Sequence, residues 1–451
     1  MDGVNPWLGE ALAGIGCRQR RDGRWIFPRT VTERAIRRAS RRVDLPGFER
    51  DKGLQIGGSR VHIGSGGAAV QTLDANSGIY RDSTLHDLYR MMRVLDQCRH
   101  VHYGVRPLVA RDMETAFALD INTAYACLAA TGKPIGVSFS QSEHLAAACE
   151  LFDMALGGQG RFQRQPFCMA IIVHVVSPLR YAEDGIEVMR SAIDHGMPVQ
   201  ICTAAQAGAT SPASLAGALA QDLAEALAGL VVVDALKPGH PCILALMPFV
   251  SDLRTGSMSG GGGETAIASA AAAQLLGHLE LPSTVSAGMT DAKLQDAQAG
   301  FEKAYSITLA AQAGANMINL SVGMLGSIMV ASPEALVIDD EMCGAIMRTV
   351  RGIEVTDDAL DINAIERAVS GAGHFLGEPE TLARMKTEYE YPSLADRRSV
   401  AEWLESGGHS IWQRARERVD ELLCEPAAHL STSADAKIRT AFDIRLNRET
   451  I

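Results

Sequence analysis

Nothing in this 451-residue chain supplies a metal-ligand signature. Its nine cysteines, at 17, 98, 127, 149, 168, 202, 242, 343 and 424, form no Cys-x-x-Cys pair and no Cys/His spacing. Odd in number and scattered, they argue against a disulfide framework and structural zinc, and for a reducing cytoplasm. Positive charge is in deficit: 42 Lys and Arg face 53 Asp and Glu, a net of −11. A surface of that sign repels nucleic acid and anionic lipid, so neither is an expected partner. The basic run "RQRRDGRWIFPRTVTERAIRRASRR", residues 18 to 42, is a local exception, and its helix-spaced arginines read as a solvated face. No leading apolar segment resembles a secretory signal. The apolar stretch around 223 to 236 carries Asp and Glu, so no membrane span is expected. Aromatic residues make up 5%, so any one of them is by default a core residue.

What the chain does have is alternation. From about residue 100, short β-branched or apolar runs alternate with longer segments of helical period, the pattern of repeated βα units. Candidate strands lie at 101–105, 134–140, 167–176, 198–204, 241–247, 282–288, 316–323 and, from the run "HFLG", 374–377. Several follow a proline stop such as "TGKP" or "HGMP", where one helix ends and an extended segment begins. Eight units predict a TIM (β/α)8 barrel; a doubly wound sheet is the alternative. Residues 1–98 read as an α+β extension packed on the barrel, with short antiparallel strands in "GGSRVHIGSGGAAVQTLDANSGIYRD". The barrel is expected over 99–390 and a helical tail over 391–451. The opening "MDGVNPWLGEALAGIGC" reads as entering an element already begun, so an upstream helix is expected.

A barrel of this kind works at the carboxyl ends of its strands. The windows to inspect are therefore Ser138 and Ser140, His174 and Ser177, 202–206, 247–249, 286–290, 321–324 and His374. Almost none holds a strong acid or base. No Walker loop, GxSxG elbow, HExxH helix or strand-following GxGxxG is present, which removes the phosphate, hydrolase, zincin and dinucleotide readings. The run "SGGGGE", 259–264, lacks the Lys-Ser/Thr pair of a phosphate cradle and reads as a lid or close-approach loop.

The stretch "GMTDAKLQDAQAGFEKA", 288–304, predicts a helix capped by Thr290 or Asp291. Its buried stripe is expected at Leu294, Ala297, Phe301, Ala304, Thr308 and Ala311. Lys293 is then left in the first turn, where a cation opposes the helix dipole and needs a partner. Asp291 or a docked group would serve.

That stretch, with "AGANMINLSVGMLGSIMVASPEALVIDDEMCGAIMRTVRGIEV", "GAGHFLGEPETL", "VHIGSGGA" and "YPSLADRRSVAEWLESGG", closely resembles the trimethylamine methyltransferase family, in the form of its members that lack pyrrolysine. The resemblance spans nearly the whole chain. It implies a TIM-barrel enzyme that moves a methyl group from an amine to the cobalt of a cobalamin carried by a separate corrinoid protein, with no metal bound directly. Every residue is standard, and the region of "SVGMLGS" offers only Met324, Leu325 and Gly326 beyond the strand. The expected substrate is therefore a small quaternary amine such as glycine betaine or proline betaine, whose permanently charged nitrogen departs neutral without assistance. Trimethylamine itself and a non-catalytic corrinoid- or betaine-binding barrel are the rival readings. A homo-oligomer is the expected assembly.

Under that resemblance, Tyr103, Phe139 and Phe249 are candidates to face the cation, against the ordinary reading of each as core. Arg254 is the forked donor for a substrate carboxylate, against a surface ion pair. His174 is a weaker substrate contact, since a satisfied core histidine is the default in "AIIVHVVSP". Asp291, Lys293 and Met324 are placed at the corrinoid face. His374, flanked by glycines at the expected eighth strand, is the catalytic candidate.

Overall fold

The computed structural model describes residues 1–75, 77–425 and 429–447. Eight parallel strands form one sheet: β1 (His62–Ile63), β2 (Gly104–Val105), β3 (Ile135–Val137), β4 (Cys168–Val173), β5 (Val199–Thr203), β6 (Cys242–Leu246), β7 (Ser283–Ser286) and β8 (Met317–Asn319). Each pairs with the next, β8 pairs back onto β1, and a parallel bridge between Gly64 and Tyr103 joins β1 to β2. The sheet is a closed TIM barrel, as predicted. At the closing bridge a Cβ on Gly64 would lie 2.3 Å from the Tyr103 ring, so only glycine lets that ring cross the bore.

Each strand is followed by a helix: α1 (Leu85–Gln97), α2 (Ala116–Ala130), α3 (Ser142–Ala155), α4 (Glu183–Asp194), α5 (Leu215–Leu236), α6 (Gly263–His278), α7 (Ala297–Gln312) and α8 (Pro333–Arg351). Local chemistry sets their starts. Thr84 and Asp87 make a reciprocal capping box at α1, and Ser332 caps α8 with proline in the first turn. By length and composition α5 is apolar enough to cross a bilayer. Here it packs on β5 and β6, with Asp222 and Glu225 buried along it.

Two boundaries differ from expectation. The barrel begins at His62, inside the segment read as an extension, and α1 is its first helix. A two-residue strand in a glycine-rich run has no periodicity to reveal it, whereas Gln71–Leu73 and Tyr80–Asp82 do form the expected antiparallel pair. The eighth expected strand, 374–377, is instead an exposed turn. Gly373 and Gly377 have open space where a Cβ would stand, so these glycines serve no close approach.

The amino end of the bore is closed. An antiparallel hairpin, Val43–Leu45 with Leu54–Ile56, inserts Val43, Leu45 and Ile56 against Tyr103, Val105, Met169, Ile243 and Met317. Beyond α8 come α9 (Asp357–Leu360), α10 (Ile362–Ser370), α11 (Pro379–Met385) and α12 (Val400–Glu405). The chain then returns as α13 (Ile411–Cys424), packed on α8 and α1, and α14 (Thr432–Ala441), packed on α3.

Candidate functional site at the carboxyl end of the barrel

Alternation along the strands sorts the wall. Ile135, Val137, Ile172, Ile201, Leu244 and Val285 face the helices, and the residues between them line the bore. Above the plug lies a neutral polar layer in which Thr284 Oγ1 donates to Gln200 Oε1 at 3.1 Å and the Tyr103 hydroxyl donates to the Ile318 carbonyl at 2.9 Å. Above that stands an apolar collar of Cys202, Ala245, Met247, Met289 and Leu320, joined by Ile171, Phe249 and Ile328. Ile171 and Phe249 are half-buried and Val173, at the top of β4, is 52% exposed, so the bore opens at this end.

The collar holds no charged side chain. Its one thiol, Cys202, is pushed up to about 11 by burial and stays protonated at neutral pH, a poor nucleophile. Ser286 shares the inward face of β7 with Thr284, and its Oγ is buried without a hydrogen-bond partner.

Around the collar, loops enclose a hollow of about 780 Å³ lined by Asp252, Ser257, Met258, Asp291, Lys293, Ser327, Ile328 and Met329, among others. Asp291 organises it. Its carboxylate accepts from Ser259 Oγ at 3.0 Å, the Gly260 amide at 2.8 Å, the Gly261 amide at 3.2 Å, and Ser327 Oγ. The glycine run is a close-approach loop, as one of its two readings had it: a Cβ on Gly261 would lie 2.2 Å from Glu302 Oε2. Glu302 in turn accepts from Thr290 Oγ1, from the Asp291 amide at 2.8 Å and from Gln298 Nε2 at 2.8 Å. Its neighbour Lys303, fully buried, donates to Asp339 at 2.6 Å. Asp339 also accepts from the Gly323 amide at 2.7 Å and from Gln295 at 3.2 Å. Two consecutive residues of α7 therefore hold the β7–α7 and β8–α8 loops.

The helix start and stripe expected in this stretch are corrected accordingly. α7 begins at Ala297 and is capped by Asp296, which accepts from the Gln298 and Ala299 amides. Lys293 lies before the helix, and its Nζ donates to the Asp291 carbonyl at 2.6 Å. Leu294 and Phe301 are exposed, while Ala299, Glu302, Lys303, Ser306 and Ala310 face inward. The charged pair is buried because each member meets a partner there.

The other expected site residues separate. Phe249 stands in the collar. Tyr103 lies at the bottom of the bore, fully buried. Phe139 joins the core between barrel and helices. His174 points outward too: its Nε2 bonds the Glu225 carbonyl at 3.0 Å, it packs against Gly229, and burial lowers its pKa to about 4. Arg254 is 89% exposed with its fork committed to Asp252, whose carboxyl the arginine holds at about 2. Met324 is buried beside Gly67, under the rim. His374 sits on the far appendage. That segment leaves the barrel at the last turn of α8, where Arg348 and Arg351 donate to the Glu388 carbonyl, the end opposite the collar.

Glu302, Lys303 and Asp339 were not anticipated as partners. The adjacency "EK" within a helix otherwise rich in alanine was the available signal. A second cavity, about 440 Å³, lies outside the bore between α2 and the segment after α14, lined by Phe117, Asn122, Asp443 and Arg445 among others.

Residues 5–449 match the family described as "Trimethylamine methyltransferase (MTTB)". The chain is 28% identical over 426 residues to a glycine betaine methyltransferase of Desulfitobacterium hafniense (strain Y51), covering 93% of this chain and 88% of that protein. It is 31% identical over 401 residues to the trimethylamine methyltransferase MttB2 of Methanosarcina mazei, covering 88% and 80%. Among solved structures, a dihydropteroate synthase from Xanthomonas albilineans in complex with 7,8-dihydropteroate matches 69% of this chain and 100% of that one, at 14% identity and a TM-score of 0.40.

Proposed function

The chain is a methyltransferase of the trimethylamine methyltransferase family, and we propose that it takes a methyl group from a small quaternary amine and passes it to a corrinoid protein docked on the carboxyl end of the barrel. The observation that carries this reading is the neutrality of the collar. With its thiol protonated and no carboxylate, amine or imidazole in it, the collar offers no nucleophile and no general acid or base. A quaternary ammonium asks for neither: the C–N bond breaks, its electron pair stays on nitrogen, and a neutral tertiary amine remains. A cobalamin carried by the partner supplies the Co(I) nucleophile when docked.

This chain's part is to desolvate, orient and enclose. Phe249 offers a ring face to the cation, and the thioethers of Met247 and Met289 give polarisable contact. The methyl to be transferred faces the opening, so the rest of the substrate points down the bore. There Ser286 Oγ is the free donor for its polar end, a role Arg254 does not fill. The rim hollow, with Lys293 and Met329 at its edge, is of a size to receive part of a corrin ring. The relatives are named for both amines at nearly equal identity, 28% for glycine betaine and 31% for trimethylamine, so the betaine reading rests on the neutral collar; a cytoplasmic setting suits eight buried free thiols.

The test is to incubate the protein with reduced corrinoid protein and candidate amines, following methylcobalamin by absorbance. Turnover with betaines and none with trimethylamine is expected. Turnover with trimethylamine alone overturns the reading, and binding without turnover shifts it to a non-catalytic barrel.

A further inference from the structure

Asp222, near the start of α5, is fully buried, and both of its carboxyl oxygens lack a hydrogen-bond partner. A carboxyl in that state is costly, and native structures seldom keep one without a use for it. Its neighbour Glu225, one turn on, is satisfied by contrast. The Glu225 carboxylate accepts from Ser177 Oγ at 2.7 Å, from the Leu179 amide at 2.8 Å and from Gln221 Nε2 at 3.2 Å, and so holds the β4–α4 loop.

Two donors at the end of β5 face Asp222, the Thr203 hydroxyl and the Ala205 amide. The hydroxyl is otherwise spent on a contact of 3.5 Å to the Ala245 carbonyl, too long to satisfy it well. The same two residues hold the collar by their carbonyls. That of Thr203 accepts the Met247 amide at 3.1 Å, and that of Ala205 accepts the Phe249 amide at 3.2 Å. Gln206–Ala207 then pairs in parallel with Phe249–Val250. One carboxyl in the helix layer is therefore a single residue removed from two side chains of the collar.

We infer that Asp222 is the positioning residue of the collar: when ionised it draws in the Thr203 hydroxyl and the Ala205 amide, and through their carbonyls it fixes Met247 and Phe249. The consequence for the amine rests on the reading of the collar given above. Ionisation is what tightens the grip, because a hydrogen bond to a charged acceptor is roughly twice as strong as one to a neutral acceptor. Burial and the Glu225 charge raise the Asp222 carboxyl to about 7, so the change falls near neutrality. His174 of β4 and Cys202 of β5 stay neutral through it, since burial lowers the first to about 4 and raises the second to about 11. Among the described residues, no charged side chain from the other elements packed on α5 acts on Asp222.

Glycine betaine is the probe, titrated calorimetrically into the full chain at about pH 6 and about pH 8, one unit either side of the Asp222 value. It does not titrate in that range itself, so a slope reports the protein. Its Kd should fall about fivefold from the lower pH to the higher, the equivalent of one hydrogen bond. Asp222→Asn, which cannot ionise, should keep the low-pH value at both. Amide hydrogen exchange gives a readout that needs no amine. At about pH 8, Met247 and Phe249 should be better protected in the wild type than in Asp222→Asn, and at about pH 6 the two proteins should match. Equal protection at both pH values overturns the inference. So does a wild-type Kd that is the same at both, or a slope that persists in Asp222→Asn. Absence of betaine binding together with the exchange difference upholds the linkage and overturns the amine reading of the collar instead.

Discussion

Asp291 and Ser327, 36 positions apart and on different barrel loops, are joined by a hydrogen bond from the serine hydroxyl to the carboxylate. The same carboxylate holds Ser259 and the amides of Gly260 and Gly261, so three loops of the rim meet on one side chain.

Removing that carboxylate should loosen the rim while leaving the barrel folded. In Asp291→Ala, amide hydrogen exchange across 252–261 should accelerate, and the apparent KM for the corrinoid protein should rise about tenfold, the equivalent of one charge-assisted hydrogen bond. Asp291→Asn keeps an acceptor and should fall between. Unchanged exchange at Gly260 and Gly261 would sink this account.

The buried pair beneath the rim has a different signature. Lys303→Met leaves Asp339 buried with its cation gone, which should cost about 3–5 kcal/mol in urea unfolding. Lys303→Met/Asp339→Leu removes both charges and should recover most of that loss. A double variant no better than the single one would show that the pair is not what the site depends on.

On α5, burial and the neighbouring Glu225 raise the Asp222 carboxyl from 3.8 to about 7. A folded value above the unfolded one means the native state binds the proton more tightly. The associated stability is full below about pH 4 and is lost as pH rises through 7. Asp222→Asn, which cannot ionise, should therefore gain on the wild type across that window, by at most about 4 kcal/mol. Parallel stability curves from pH 4 to 8 would contradict this.

Phe249 and Phe139, both placed near the cation by sequence, should now behave differently. Phe249→Ala removes a collar face and should raise the amine KM about tenfold with little change in stability. Phe139→Ala opens a cavity in the main core, costing about 3–5 kcal/mol, with the amine KM unmoved. Equal effects on KM would dissolve the distinction.

The barrel was legible because seven strands follow proline stops or stand as β-branched runs. The remaining one, His62–Ile63, is two residues among glycines and is defined by its neighbours in space. The wall's inward and outward faces were also legible in principle. Phe139 has the parity of Ile135 and Val137, and His174 that of Ala170 and Ile172, all outward. What sequence spacing could not disclose is which charges find each other: Lys303 meets Asp339 across 36 positions, and Arg254 meets Asp252 two residues away. His374 was misplaced because flanking glycines signal a tight approach only where something stands close, and nothing does.

Among the described residues, the hairpin that stoppers the amino end makes the bore a blind well entered from the collar. If the methyl acceptor seats across that entrance, the amine has to be inside before the acceptor arrives, and the demethylated amine is trapped until the acceptor departs. The order of entry and exit is then imposed by architecture, and initial-rate patterns should be those of a compulsory sequence with amine first in and last out.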